Sequence, residues 1–186
     1  MSKILIPLAQ RCEELEAVTL IDLLRRARFE VVTAGLEAEV TPILAARGTR
    51  LLPDTTLEEA LKQTFDMIVL PGGLPGADYL NQDARIINLL TTMARNDKYI
   101  AAICAAPRAL VTAGLLAGRR ATSYPGTLDK MTIPDFTFSN DAVVVDGKII
   151  TSRGPGTAME FALTLIQLLG GEKRREEVEE PLLADG

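Results

Sequence analysis

The stretch Lys98-Tyr99-Ile100-Ala101-Ala102-Ile103-Cys104-Ala105-Ala106-Pro107 decides the fold. Lys98–Ile103 is a short apolar run of strand length, and Pro107 falls in the first turn of a helix read over Ala106–Ala113, where a missing N–H leaves no bond unmade. A strand therefore runs directly into a helix at Cys104. The same order recurs upstream, where Asp66–Leu70 reads as a buried strand ending in Pro71-Gly72-Gly73 and Ala77–Arg95 as the helix after it. At the start of the chain Lys3–Leu8 reads as a strand and Glu14–Arg28 as an amphipathic helix, with Val18, Ile21 and Leu24 along its apolar stripe.

Further strands are read over Glu30–Leu36, Thr41–Arg47 and Ala121–Ser123. Ala142–Ser152 reads as two strands joined at Asp146-Gly147, a strong hairpin signal. Thr157–Leu169 is apolar on most sides, which predicts a largely buried helix stopped at Gly170-Gly171. Glu172–Glu180 reads as a solvated charged helix. Strands alternating with helices predict an α/β fold: a doubly wound, mainly parallel sheet with helices on both faces, a flavodoxin-like sandwich, in one domain spanning residues 1–186. Ligands of such sheets bind outside the carboxyl ends of the strands, so the loops after Leu8, Leu70, Ile103 and Ser123 are the ones to search.

Composition narrows the function. With 47% hydrophobic and 24% charged residues among 186, the chain has the usage of a soluble globular domain. Its longest apolar stretches fall far short of a bilayer span, and Ile4–Ala9 is too short for a secretory signal, so a cytoplasmic location is expected. A net charge of −5 with scattered basic residues argues against direct nucleic-acid binding. There is no histidine, which removes the commonest general base and every imidazole-based triad; with only two cysteines, a zinc site built on thiolate and imidazole is excluded as well.

The chemistry that remains centres on Cys104. Small neighbours at Ala102, Ala105 and Ala106 permit a sharp nucleophile elbow, and a helix N-terminus behind it is expected to lower the thiol pKa. An inert buried cysteine fits the same residues. The glycine turn at Gly72-Gly73 ends on the same sheet edge, so the Gly73 and Ala105 backbone amides are candidate oxyanion donors, although a plain strand-to-helix turn would look alike. Glu13, Glu14 and Glu16 open the first helix at that edge; a carboxyl beside a thiolate would have its pKa raised by the adjacent charge. Cys12 lies on the loop after the first strand, either as a resolving thiol or, more simply, as an exposed loop cysteine.

These motifs together resemble the ThiJ/PfpI superfamily, in the branch that holds YajL and the parkinsonism-associated protein deglycase. The resemblance runs nearly end to end. It is carried by Glu13-Glu14-Leu15-Glu16 before Ile21–Arg26, by Val69–Gly73, by Ala101–Pro107, and by Thr151-Ser152-Arg153-Gly154-Pro155-Gly156-Thr157. It implies that Cys104 is a reactive, oxidisable thiol, that Glu16 is its protonated partner, and that Gly73 and Ala105 supply backbone donors. It also implies a homodimer, with Arg47 near the cysteine pocket from across the interface, and Arg25, Arg26 and Arg153 as structural charges or anion contacts.

Many relatives carry histidine where this chain has Tyr124, and a phenol is a poor base at neutral pH, so proton transfer falls to Glu16 or water. Ala105 stands where protease-like members carry histidine, which leaves peptide hydrolysis unsupported. The resemblance thus implies a stress protein acting on glyoxal, methylglyoxal or glycated biomolecules without a cofactor or metal. A redox sensor or redox-regulated chaperone working through Cys104 oxidation uses the same thiol.

Overall fold

The computed structural model describes residues 1–183. In chain order its elements are β1 (Lys3–Leu8), α1 (Glu14–Arg26), β2 (Glu30–Gly35), β3 (Ile43–Leu44), β4 (Arg50–Leu51), β5 (Thr55–Thr56), α2 (Leu57–Ala60), β6 (Met67–Leu70) and α3 (Gly76–Gln82). They continue with α4 (Ala84–Arg95), β7 (Tyr99–Ile103), α5 (Arg108–Thr112), β8 (Arg120–Ala121), β9 (Thr137–Phe138), β10 (Val143–Asp146), β11 (Ile149–Ser152), α6 (Ala158–Gly170) and α7 (Glu172–Glu179).

Seven strands form the central sheet in the order β10-β11-β7-β6-β1-β2-β5, and every neighbouring pair is parallel except β10 with β11. This is the expected doubly wound α/β sheet. The central strands are buried on both faces, which is why Ile4-Leu5-Ile6 and Met67-Ile68-Val69-Leu70 read as continuous apolar runs rather than alternating ones. Helix α1 packs on α6, whereas α3 packs on α4 and α5, so the helices form two separate groups against the sheet. From β1 the chain steps outward to β2 and then returns to β6 on the other side of β1. The strand order reverses there, which opens a crevice at the carboxyl ends of β1, β6 and β7.

Several elements differ from the sequence reading. The helix over Ala77–Arg95 is two helices, because Asp83 takes an extended conformation (φ −81°, ψ 110°) and its carboxylate caps α4 by accepting from the Arg85 N–H at 2.9 Å. The strand over Thr41–Arg47 shrinks to β3, which pairs antiparallel with β4 outside the main sheet. The strand over Ala121–Ser123 is β8, held by β9 in a second small ribbon. The short β5 edge and α2 were not anticipated. The charged helix α7 is less solvated than its composition suggests: Val178 is buried, and Arg175 bridges Glu160 of α6 at 2.8 Å and Glu179 at 3.1 Å.

Among the described residues no helix is long and apolar enough to cross a membrane.

Candidate active site around Cys104

Cys104 occupies the step between β7 and α5 with φ +64°, in the left-handed region that a residue with a β-carbon enters at a cost of roughly 1–3 kcal/mol. The surroundings hold it there from both sides. Its N–H donates to the Ser152 carbonyl of β11 at 3.0 Å, and its own carbonyl accepts from the Tyr124 N–H at 2.8 Å. The sharp turn expected from the small alanines is thus present, and it aims the side chain off the sheet edge.

The end of β6 supplies the opposite wall. The Gly72 carbonyl accepts from the Glu13 N–H at 2.9 Å, which ties the start of α1 to this strand, and the Gly72 N–H donates to Glu16 Oε2 at 2.8 Å. Gly73 has φ +91°, a conformation that favours glycine. From these positions the Gly73 and Ala105 backbone amides favour an anionic Cys104 sulfur.

Glu16 sits in the first turn of α1 and is completely buried. Its Oε2 is held by Gly72, its Oε1 is a buried oxygen with no fixed partner, and the carboxyl lies within hydrogen-bonding reach of the Cys104 thiol. Burial pushes the carboxyl up from 4.5 to about 7, against the opposing pull of the Gly72 amide and the thiol. The upward direction was expected; the cause is chiefly loss of water, with only a small contribution from the neighbouring Glu13 charge.

The expected low thiol pKa is not found. Burial first, and then the Glu16 charge, push Cys104 up to about 12, although the Gly73 and Ala105 amides pull the other way. Helix α5 has only five residues and begins at Arg108, so little macrodipole is available to reverse that balance. Glu16 and Cys104 therefore act as one unit that keeps at least one proton at neutral pH, since two anions in one buried site repel strongly.

A hollow of about 490 Å³ opens over the sulfur, lined by Glu13, Arg47, Gly73, Cys104, Arg108 and Tyr124 among others. Arg47 and Tyr124 thus lie where the sequence reading set them, beside the cysteine pocket; Arg47 stands on the turn between β3 and β4 and lines the hollow of its own chain. Its backbone N–H is fixed there by the Glu14 carboxylate at 2.9 Å.

Cys12 is a second correction. It is 1% exposed rather than an open loop cysteine, and it is not part of the hollow's lining. Its backbone is packed against the turn after β6, where a β-carbon on Gly76 would lie 2.8 Å from the Cys12 nitrogen. Burial pushes its thiol up to about 12, so it is a poor candidate for resolving an oxidised Cys104.

Arg108 was missed. It lies four residues after Cys104 at the start of α5, lines the hollow, and pairs with Asp78 of α3. The i to i+4 spacing behind an elbow cysteine was the available signal. The other arginines of the family motifs are structural: Arg25 pairs with Asp54 at 2.7 Å, Arg26 with Asp22 at 2.7 Å, and Arg153 donates to the Asn140 carbonyl at 3.1 Å. The described residues contain no group of three or more His, Cys, Asp or Glu able to hold a metal ion.

With this geometry in view, comparison with known proteins is specific. The DJ-1/PfpI family model matches residues 2–168. Protein DJ-1 homolog B of Arabidopsis thaliana is 42% identical across 92% of this chain, which spans only 39% of that protein's length. The glutathione-independent glyoxalase DJR-1.2 of Caenorhabditis elegans is 38% identical, with 96% of this chain and 94% of that protein covered. The solved structure of oxidized Toxoplasma gondii DJ-1 superposes with a TM-score of 0.93 at 39% identity, covering 98% of each chain.

Proposed function

The chain belongs to the DJ-1/PfpI family, and on that footing we propose that it is a carbonyl- and oxidative-stress protein whose Cys104 attacks glyoxal, methylglyoxal or their early adducts on biomolecules. One observation carries this reading: a fully buried carboxyl with a pKa of about 7 is set against a thiol at the floor of an open hollow. An acid or base is most effective when its pKa lies near the working pH, and Glu16 meets that condition without histidine or metal. A glyoxalase among the relatives supports this substrate class.

The chemistry balances without a cofactor. Glu16 takes the thiol proton as sulfur bonds to the aldehyde carbon of methylglyoxal, and the carbonyl oxygen takes up a proton to give a hemithioacetal. Having given the thiol proton to that oxygen, Glu16 is a carboxylate again and moves the hydrogen on the carbon, as a proton, to the neighbouring carbon, while the hydroxyl proton passes to the former ketone oxygen; the hemithioacetal becomes a thioester of lactate. Water cleaves the thioester and restores the thiol. The sum is methylglyoxal plus water giving lactate.

The test is consumption of methylglyoxal by the purified protein beside Cys104→Ser and Glu16→Gln. Loss of turnover in both variants, with folding retained, is the expected result; turnover that survives Cys104→Ser overturns the reading.

A second reading is favoured by one specific feature, the Gly73 and Ala105 backbone amides that favour negative charge on the sulfur itself. They are placed to hold a negatively charged oxidised sulfur. Peroxide would convert the thiol to sulfenic acid with release of water, and a second peroxide would give sulfinic acid. In that case the protein is a redox sensor or redox-regulated chaperone, and peroxide modifies Cys104 while methylglyoxal is untouched. In either reading we place the chain in the cytoplasm as a homodimer; Leu15 and Val18, 51% and 45% exposed on α1, are an apolar surface that suits pairing of two copies.

A further inference from the structure

The hollow over Cys104 is much larger than the smallest substrates require. Methylglyoxal has five non-hydrogen atoms, and even at about 30 Å³ for each, the share of a water molecule in the liquid, it fills at most about 150 Å³. The hollow holds about 490 Å³. The remaining space is not wholly apolar, because Glu13, Arg47, Arg108 and Tyr124 are among the residues that line it.

Arg108 is held in place by one ion pair to Asp78, and the rest of its hydrogen-bonding capacity is unused: Nε is buried with no acceptor, and Nη1 to Asp78 is its only side-chain donation among the described residues. A buried donor of a charged group left without an acceptor is costly. Arg47, exposed on its turn, forms no ion pair among the described residues. Against these two stands Glu13, whose carboxylate already accepts from the Leu15 N–H at 3.5 Å. The hollow therefore has donors and positive charge that no protein group consumes, beside the sulfur that performs the reaction.

We propose that Arg108, with Arg47, selects carbonyl compounds that carry a carboxylate, and that the anion occupies the part of the hollow a bare dicarbonyl leaves empty. This rests on the aldehyde reading of the site for its turnover, but the anion preference stands apart from it. Arg108 acts here as a specificity-determining residue: Asp78 fixes its position through Nη1, and Nη2, neither bonded to an acceptor among the described residues nor buried, donates to the carboxylate in a charge-assisted hydrogen bond.

Two measurements separate the two ideas. The first is the rate of Cys104 alkylation by iodoacetate and by iodoacetamide, followed by peptide mass spectrometry. In each case sulfur bonds to the reagent's methylene and iodide leaves; the reagents differ only in carrying an anion or a neutral amide. Relative to a free thiol such as N-acetylcysteine, the iodoacetate to iodoacetamide ratio for Cys104 should be raised by about fivefold, the effect of one partly exposed charge pair.

That ratio should return to the free-thiol value in Arg108→Leu and be largely retained in Arg108→Lys. If Arg108→Leu does not fold, the exposed Arg47→Leu lowers the same ratio. A parental ratio equal to that of N-acetylcysteine, or one untouched by either arginine substitution, overturns the proposal.

The second measurement compares 4,5-dioxopentanoate, which has the methylglyoxal headgroup and a carboxylate two carbons away, with methylglyoxal itself. A higher kcat/KM for the anionic compound, lost in Arg108→Leu, is expected. If neither compound is consumed while the alkylation preference holds, the aldehyde reading falls and the anion site stands. If both are consumed equally and the alkylation ratio is that of a free thiol, the anion site falls and the aldehyde reading stands.

Discussion

Glu16 and Cys104 face each other across the missing side chain of Gly72: a β-carbon there would lie 2.8 Å from Glu16 Oε2 and 2.5 Å from Cys104 Cβ. The same carbon would lie 2.9 Å from the Ile103 carbonyl oxygen, so backbone as well as side chains would have to move. Gly72→Ala should therefore destabilise the protein by about 3 kcal/mol through overpacking. Gly48→Ala, where nothing lies within 4 Å and only the φ of +96° is unfavourable, should cost about 1 kcal/mol. Denaturant midpoints of the two variants give the comparison, and equal losses would contradict a close-packed Glu16–Cys104 contact.

Removing the Glu16 charge should loosen the proton of Cys104. In Glu16→Gln the second-largest cause of the raised thiol pKa disappears, while the Gly73 and Ala105 amides remain. The thiol pKa should fall from about 12 by about one unit or more, the usual effect of a like charge within reach. Ultraviolet absorbance of the thiolate in a Cys12→Ala background reads it. An unchanged pKa would mean that Glu16 and Cys104 do not share a proton.

The buried carboxyl also imposes a pH dependence on stability. A folded pKa raised from 4.5 to about 7 means that the folded state holds its proton across a window where the unfolded chain has lost it. Glu16 thus costs nothing below about pH 4.5, costs progressively more as pH rises to about 7, and costs a constant amount above that. The full shift corresponds to roughly 3 kcal/mol. Glu16→Gln keeps an acceptor for the Gly72 N–H and lacks the titration, so its stability relative to the parent should improve by up to that amount between pH 4.5 and pH 7. Unfolding titrations of both proteins at several pH values supply the difference, and a difference independent of pH would refute the assignment.

Oxidation should discriminate sharply between the two cysteines. Cys104 opens into the hollow under two amides that favour an anionic sulfur, whereas Cys12 is sealed under the turn after β6; both thiols are pushed up to about 12, so access rather than pKa separates them. Mild peroxide should bring Cys104 to sulfenic and then sulfinic acid while Cys12 stays reduced in the native protein and reacts only in denaturant. Peptide mass spectrometry detects each product. Comparable native oxidation of Cys12 would show that its burial is transient.

Much of this was written in the chain. The parallel sheet followed from short apolar runs alternating with amphipathic ones, because a strand covered on both faces has no position for a polar residue. The elbow at Cys104 followed from a strand meeting Pro107 through small alanines, and the partner glycines from the turn after Asp66–Leu70. The break at Asp83 was also legible, since an aspartate two residues before Arg85 can cap a helix, but the apolar period continues across it and masks the stop. The ribbons β3–β4 and β8–β9 were misplaced because two-residue pairings leave almost no periodic trace.

The sequence by itself determined the sheet, the edge on which chemistry can occur, and the residue types available there: a cysteine, a carboxylate and glycine amides, with no imidazole. Only the tertiary structure decided their protonation and access. Whether Cys104 is a free thiolate or one half of a proton-sharing pair depends on how much water is left around Glu16, and that is set by the closing of β6, β7 and α1 around Gly72. Whether Cys12 is exposed, and that Arg108 and Arg47 border one hollow, depend likewise on contacts between segments far apart in the chain. Burial and distance are properties of the folded arrangement, and local periodicity contains neither.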